Sequence, residues 1–125
     1  MSNPAVTDSE LELLKELWQE SPLTGPELIA RTRGRTGWDE STVQTLLARL
    51  VTKKAIARAG KRRFYTYSPL LARSDYQREM TGRLAAQAFD NSAAELVSFF
   101  VRQQKLSAAD RAELRQLLEE LDADE

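Results

Sequence analysis

The sequence predicts a mainly α-helical chain carrying one small β-hairpin, on three observations. Apolar residues recur at helical spacing along most of its length. Capping signals stand ahead of these periodic segments. One stretch, Ala55 to Pro69, switches from period 3.6 to period 2. A helix with one polar face runs directly into that hairpin, and the hairpin is basic. This order reads as a winged helix-turn-helix over residues 1–72, followed by a C-terminal helical dimerisation arm over residues 73–125.

The elements can be justified in order. Thr7-x-x-Glu10 is a capping box for a first helix over about 9–20, which aligns Leu11, Leu14, Leu17 and Trp18 and is followed by Pro22. Thr24-x-x-Glu27 opens a second helix over about 25–33. It has Pro26 in its first turn, where the missing N–H does no harm, and it buries Leu28 and Ile29. The link Thr32 to Gly37 contains Gly34, Arg33 and Arg35, and is expected to be a turn facing the same partner as the helix after it. Asp39 caps that third helix, where Val43, Leu46, Leu47, Leu50 and Val51 form one apolar stripe. Its other face carries hydrogen-bonding side chains with few acids: Thr42, Gln44, Thr45, Arg49, Thr52 and Lys53. In the hairpin, Ala59-Gly60-Lys61 makes the turn, Gly60 supplying φ > 0. Tyr65 and Tyr67 share one strand face, Phe64 and Thr66 the other.

Beyond Pro69, the signals Ser74-x-x-Gln77, Ser92-x-x-Glu95 and Ser107-x-x-Asp110 start three more helices. Their apolar residues are Tyr76, Met80 and Leu84, then Leu96, Val97 and Phe100, then Leu114, Leu117 and Leu118. Three short amphipathic helices make a poor core alone, so these residues are the candidate dimerisation surface, with a second copy of the arm as the simplest cover. The tail Asp122 to Glu125 is expected to fray.

Composition narrows the function. The 125 residues include no Cys and no His, which removes disulfides and the usual ligands of zinc and copper(I). No Gly-rich phosphate loop or apolar carboxylate pair is present, so an enzyme is not expected, nor is a cofactor or metal. Met1 to Ser9 shows no secretory signal and no apolar run approaches a membrane span, so a cytoplasmic location is expected. The net charge of −1 conceals a segregation. Residues 31–67 hold ten bases against two acids, a net +8, whereas residues 1–30 hold one base against six acids. A basic segment between acidic flanks is the footprint of an anionic partner, with nucleic acid first in line; the plainer reading is a solvated surface whose charges happen to cluster.

Thr42, Thr45 and Arg49 lie on one helix face, about one turn apart. Arg can bond a guanine edge with two donors, and Thr offers a methyl to thymine or a hydroxyl to a base or phosphate. Arg49 pairing with Glu40 is the plainer alternative. Lys61 and Arg62 at the hairpin tip are the wing contacts, supplying affinity more than sequence choice. Lys53 and Lys54 suit the end of the helix dipole and are read as structural first. Trp18, Tyr65 and Tyr67 are read as core, Trp38 as packing beneath the third helix, and Phe64 as the best candidate for an exposed aromatic.

Trp38, then Thr42-Val43-x-Thr45-Leu46-Leu47-x-Arg49-Leu50, then Arg63-x-Tyr65-x-Tyr67-x-Pro69-Leu70 resembles the penicillinase-repressor family of bacteria, the BlaI/MecI/CopY type. Leu17-Trp18, Thr24-x-x-Glu27-Leu28, Ser92-x-x-x-Leu96-Val97 and Leu106-Ser107 agree with it in order along the chain. The resemblance implies a homodimeric repressor whose third helix lies in the major groove of an inverted-repeat operator with TACA/TGTA-type elements. Ser41 and Gln44 stand where the family varies and are candidates for tuning site preference. The resemblance also implies relief by a sensor protease that cuts the arm near Phe99-Phe100, although Phe99 stands where staphylococcal-type members have Asn. The C-terminal cysteine motif of copper-sensing members is missing. The rival expectation is a winged-helix adaptor for a protein partner, which would show a neutral or apolar third-helix face.

Overall fold

The fold was obtained as a computed structural model that describes residues 3–124. Its elements are α1 (Asp8–Gln19), β1 (Leu23–Thr24), α2 (Gly25–Thr36), α3 (Glu40–Thr52), β2 (Ile56–Ala59), β3 (Thr66–Pro69), α4 (Arg73–Phe89), α5 (Ala93–Gln103) and α6 (Ala108–Ala123). They fall into two compact units, Met1–Met80 and Thr81–Glu125, the division lying inside α4.

The helix starts follow local chemistry. Thr7 accepts from the Glu10 amide at 3.2 Å, and the Glu10 carboxylate accepts from the Thr7 amide at 3.0 Å. Thr24 with Glu27 and Ser107 with Asp110 close the same reciprocal box. Ser92 forms half of one, accepting from the Glu95 amide. Ser74 does not cap: α4 begins at Arg73 and takes Ser74 into its first turn. The second helix runs three residues further than expected, to Thr36. It stops at Gly37, whose φ of 70° is a left-handed C-cap that donates to the Arg33 carbonyl. Thr32, expected in a link, is a buried helical residue whose hydroxyl donates to the Leu28 carbonyl at 2.9 Å.

In the first unit α1, α2 and α3 pack around Leu13, Leu14, Leu17, Leu28, Leu47 and Leu50, all of them essentially without solvent contact. The sheet has the antiparallel order β1-β3-β2. Leu23 pairs with Tyr67, and Arg58 pairs with Tyr67 from the other side. The two-residue strand β1 was not foreseen, because two residues are too few to display a period. Tyr67 and Ile56 drive the hairpin into the core. The unit is closed by the start of α4. The Trp18 indole donates to the Leu71 carbonyl at 2.9 Å, and Tyr76 packs on Trp18 with ring centroids 5.7 Å apart. Tyr76, expected on the dimerisation stripe, thus serves the first unit.

In the second unit no side chain of α5 or α6 is buried. Phe89 and Phe99 touch, with centroids 5.7 Å apart. Phe100, Leu106, Leu114 and Leu117 line an open groove. Helix α6 continues through Asp122 and Ala123 with Asp124 as its cap, where fraying was expected; Glu125 lies outside the described residues, as do Met1 and Ser2 of the stretch scanned for a signal. Among the described residues no helix is long and apolar enough to cross a membrane.

Candidate nucleic-acid interface

Burial of Val43, Leu46, Leu47 and Leu50 fixes how α3 is rotated, and so decides what it presents. Ser41, Thr42, Gln44, Thr45, Ala48 and Arg49 are all exposed, and the one acid of α3 is Glu40, exposed at its first residue. The helix is held at its start by Asp39, whose carboxylate accepts from the Thr42 amide at 2.8 Å; that bond keeps Asp39 below its ordinary pKa and therefore charged. Trp38 is half-buried against the core just before it. The Thr45 hydroxyl donates to the Ser41 carbonyl at 3.0 Å, which spends its proton on the helix and leaves its methyl and lone pairs outward. The suspected Arg49–Glu40 pair does not form, and among the described residues no salt bridge holds Arg49.

The basic segment is smaller than its sequence suggests. Arg31 pairs with Glu20 and, at 3.6 Å, with Glu16. Arg35 pairs with Glu12 at 2.9 Å and with Glu16 at 3.1 Å. Lys53 pairs with buried Glu10. These three bases face the acids of α1, so Arg35 is a tie between helices where it was expected to be a contact for an outside partner. The signal was legible in part: Glu12 and Glu16 are four residues apart and stand on one helix face. The bases left at the surface are Arg33, Arg49, Lys54, Arg58, Lys61, Arg62 and Arg63. Most of these flank α3 or lie on the hairpin.

The hairpin tip is tightly built. Gly60 has φ 95°, and a Cβ there would stand 2.7 Å from the Phe64 carbonyl oxygen. The Phe64 amide donates to the Lys61 carbonyl at 2.8 Å, and Arg63 between them takes φ 80°, a left-handed value unusual for a side chain of this size. Arg58 lies over the Tyr65 ring at 4.3 Å from its centroid. Helix α3 and the hairpin meet at a small cleft lined by Gly25, Pro26, Gln44, Arg63, Tyr65 and Tyr67. Gly25, Arg63 and Tyr65 were not among the expected site residues, since the cleft joins segments far apart in the chain. A Cβ on Gly25 would stand 3.0 Å from the Gln44 amide nitrogen. On the expectation that Gln44 faces DNA, Gly25→Ala should fold normally but displace Gln44, lowering DNA affinity about 3- to 10-fold. Combined with Gln44→Ala it should add little further loss, because the two changes act on one contact. Additive losses in titrations of the four proteins would refute the coupling.

A three-helix core, a hairpin wing, and a third helix whose exposed face is polar with a single acid, Glu40, define a winged helix-turn-helix protein. The chain belongs to the penicillinase repressor family, whose model matches residues 6–120. It is 30% identical over 117 residues to the penicillinase repressor of Bacillus licheniformis, covering 94% of this chain and 91% of that one. It is 24% identical over 113 residues to the methicillin resistance regulatory protein MecI of Staphylococcus aureus strain N315, covering 90% and 92%. Among solved structures, the DNA-binding domain of the repressor BlaI in solution superposes with a TM-score of 0.54 at 34% identity, over 61% of this chain and 94% of that one. The monomeric form of Bacillus licheniformis BlaI in complex with the blaP half-operator gives a TM-score of 0.53 at 34% identity, with the same coverage.

Proposed function

We propose that this chain is a homodimeric, cytoplasmic transcriptional repressor that occupies an inverted-repeat DNA operator and occludes a promoter. The observation that carries the reading is the α3 face. Ser41, Thr42, Gln44, Thr45 and Arg49 are exposed together, with Glu40 the one acid on the helix, beside a wing bearing Lys61 and Arg62. Such a face suits base edges in the major groove, while the wing cations suit phosphates. The likeness to a BlaI monomer solved on a half-operator supports placing one reading head on one half-site. Dimerisation joins two heads. Leu84, Val97, Phe100, Leu117 and Leu118 are about half exposed, and Met80 and Leu114 somewhat less, an apolar surface that a second arm would cover. Leu96 is half-buried in the same helix as Val97.

Release follows when the arm is cut by an upstream sensor protease or otherwise destabilised. Phe99 and Phe100 are exposed but lie within α5, so a protease acting there needs the helix to open locally. Arg49→Ala is expected to weaken binding to a duplex bearing a TACA/TGTA inverted repeat by about 1–3 kcal/mol, and to affect a scrambled duplex much less. Equal losses on both would reduce Arg49 to a phosphate contact. A wild-type chain that shows no salt-sensitive retention on DNA would favour the protein-binding adaptor.

A further inference from the structure

Phe64 is the most exposed large apolar side chain outside the arm, at 77% of its full accessibility, and it stands in the most basic turn of the chain, directly after Lys61, Arg62 and Arg63. A single exposed aromatic needs no explanation in itself. The loop that carries this one is built around it. Gly60 passes so close to the Phe64 carbonyl that no other residue fits without a shift. Arg63 is held in a left-handed conformation, and the Phe64 amide is tied back to Lys61. Immediately after the turn, Tyr67 anchors β3 in the core and Arg58 packs on Tyr65. The ring is thus a projecting apolar group on a braced support, directly preceded by three exposed cations and far in sequence from any acid.

We propose that Phe64 is the wing's minor-groove contact, its ring lying against the deoxyribose walls while Lys61, Arg62 and Arg63 face the phosphates on either side. This rests on the reading of the chain as a DNA-binding protein. The minor groove matches the observed chemistry. It is about 6 Å wide, narrow enough to grip a planar ring, its walls are apolar sugar edges, and its rims are anionic.

The test uses the full chain and two duplexes, one with a TACA/TGTA inverted repeat and one scrambled. Phe64→Ala is expected to lower affinity for both about 3- to 10-fold while leaving the log–log salt slope unchanged, because no ionic contact is lost. Lys61→Ala should instead reduce that slope by about 1. Netropsin, a minor-groove ligand, should weaken the wild type towards the level of Phe64→Ala and affect the variant little. Thermal unfolding should be the same for wild type and Phe64→Ala, since the ring is exposed. A Phe64→Ala protein with wild-type affinity, or one whose loss comes with a reduced salt slope, overturns the wing assignment and leaves the reading of α3 standing. A wild-type chain that binds neither duplex overturns both.

Discussion

Ending the chain at Met80 is expected to leave a folded winged helix that is monomeric and binds a two-half-site operator about 100- to 10,000-fold more weakly than the intact protein. The place of the cut follows from the packing. Leu71 accepts the Trp18 indole N–H and Tyr76 packs on Trp18, so a cut at Arg73 would strip Tyr76 from the first unit, whereas Met80 is where that unit ends. The core of α1, α2, α3 and the sheet needs nothing beyond it. The arm, by contrast, has no buried side chain in α5 or α6. The loss is large because two joined heads make the second binding event intramolecular, with no new contact required. Affinity for a single half-site should change little. Sedimentation of both proteins, followed by titration onto one and two half-sites, decides the matter. A dimeric truncated chain, or one that holds the full operator as tightly as the intact protein, would show that the arm does not join the heads.

Much of the fold was legible because its determinants are local. The boxes at Thr7, Thr24 and Ser107 and the cap at Asp39 are side chains bonding amides within three residues, and each helix they open is present. The stripe Val43, Leu46, Leu47, Leu50 was readable for the same reason, and the exposed face of α3 is its geometric complement. What escaped depends on contacts distant in the chain. Strand β1 exists only because Leu23 meets Tyr67. Arg31, Arg35 and Lys53 looked like part of a basic patch until α1 brought its acids against them. Tyr76 kept the spacing of the arm stripe, yet Trp18 claims its ring. The Gly25–Gln44 approach pairs positions nineteen apart, which no periodicity reports.

Lys53→Met is expected to cost about 2–3 kcal/mol of stability at neutral pH. Glu10 is 1% exposed. One carboxylate oxygen accepts from the Thr7 amide and from the Lys53 ammonium, and the other has no hydrogen-bond partner among the described residues. Burial pushes this carboxyl up, but the bonds from Lys53 and Thr7 together outweigh it and hold the group below its ordinary value. Removing the ammonium leaves a buried charge with one amide for company. The figure sits below that of a fully enclosed pair because the Lys53 side chain keeps 32% of its exposure. The sign with pH follows. A carboxyl depressed on folding contributes stability that is full above its unfolded pKa and is lost as pH falls through its folded one. The gap between wild type and Lys53→Met should therefore be widest near neutrality and narrow as the pH falls through the depressed folded pKa of Glu10, below the ordinary carboxylate range. Glu10→Gln added to Lys53→Met should recover part of the loss, because it removes the stranded charge while keeping an acceptor for the Thr7 amide. Urea denaturation at one fixed protein concentration, repeated across pH, reads all of this. A Lys53→Met protein as stable as wild type at pH 7, or a deficit indifferent to pH, would mean that the pair tying α3 to α1 contributes nothing to holding α3 in place.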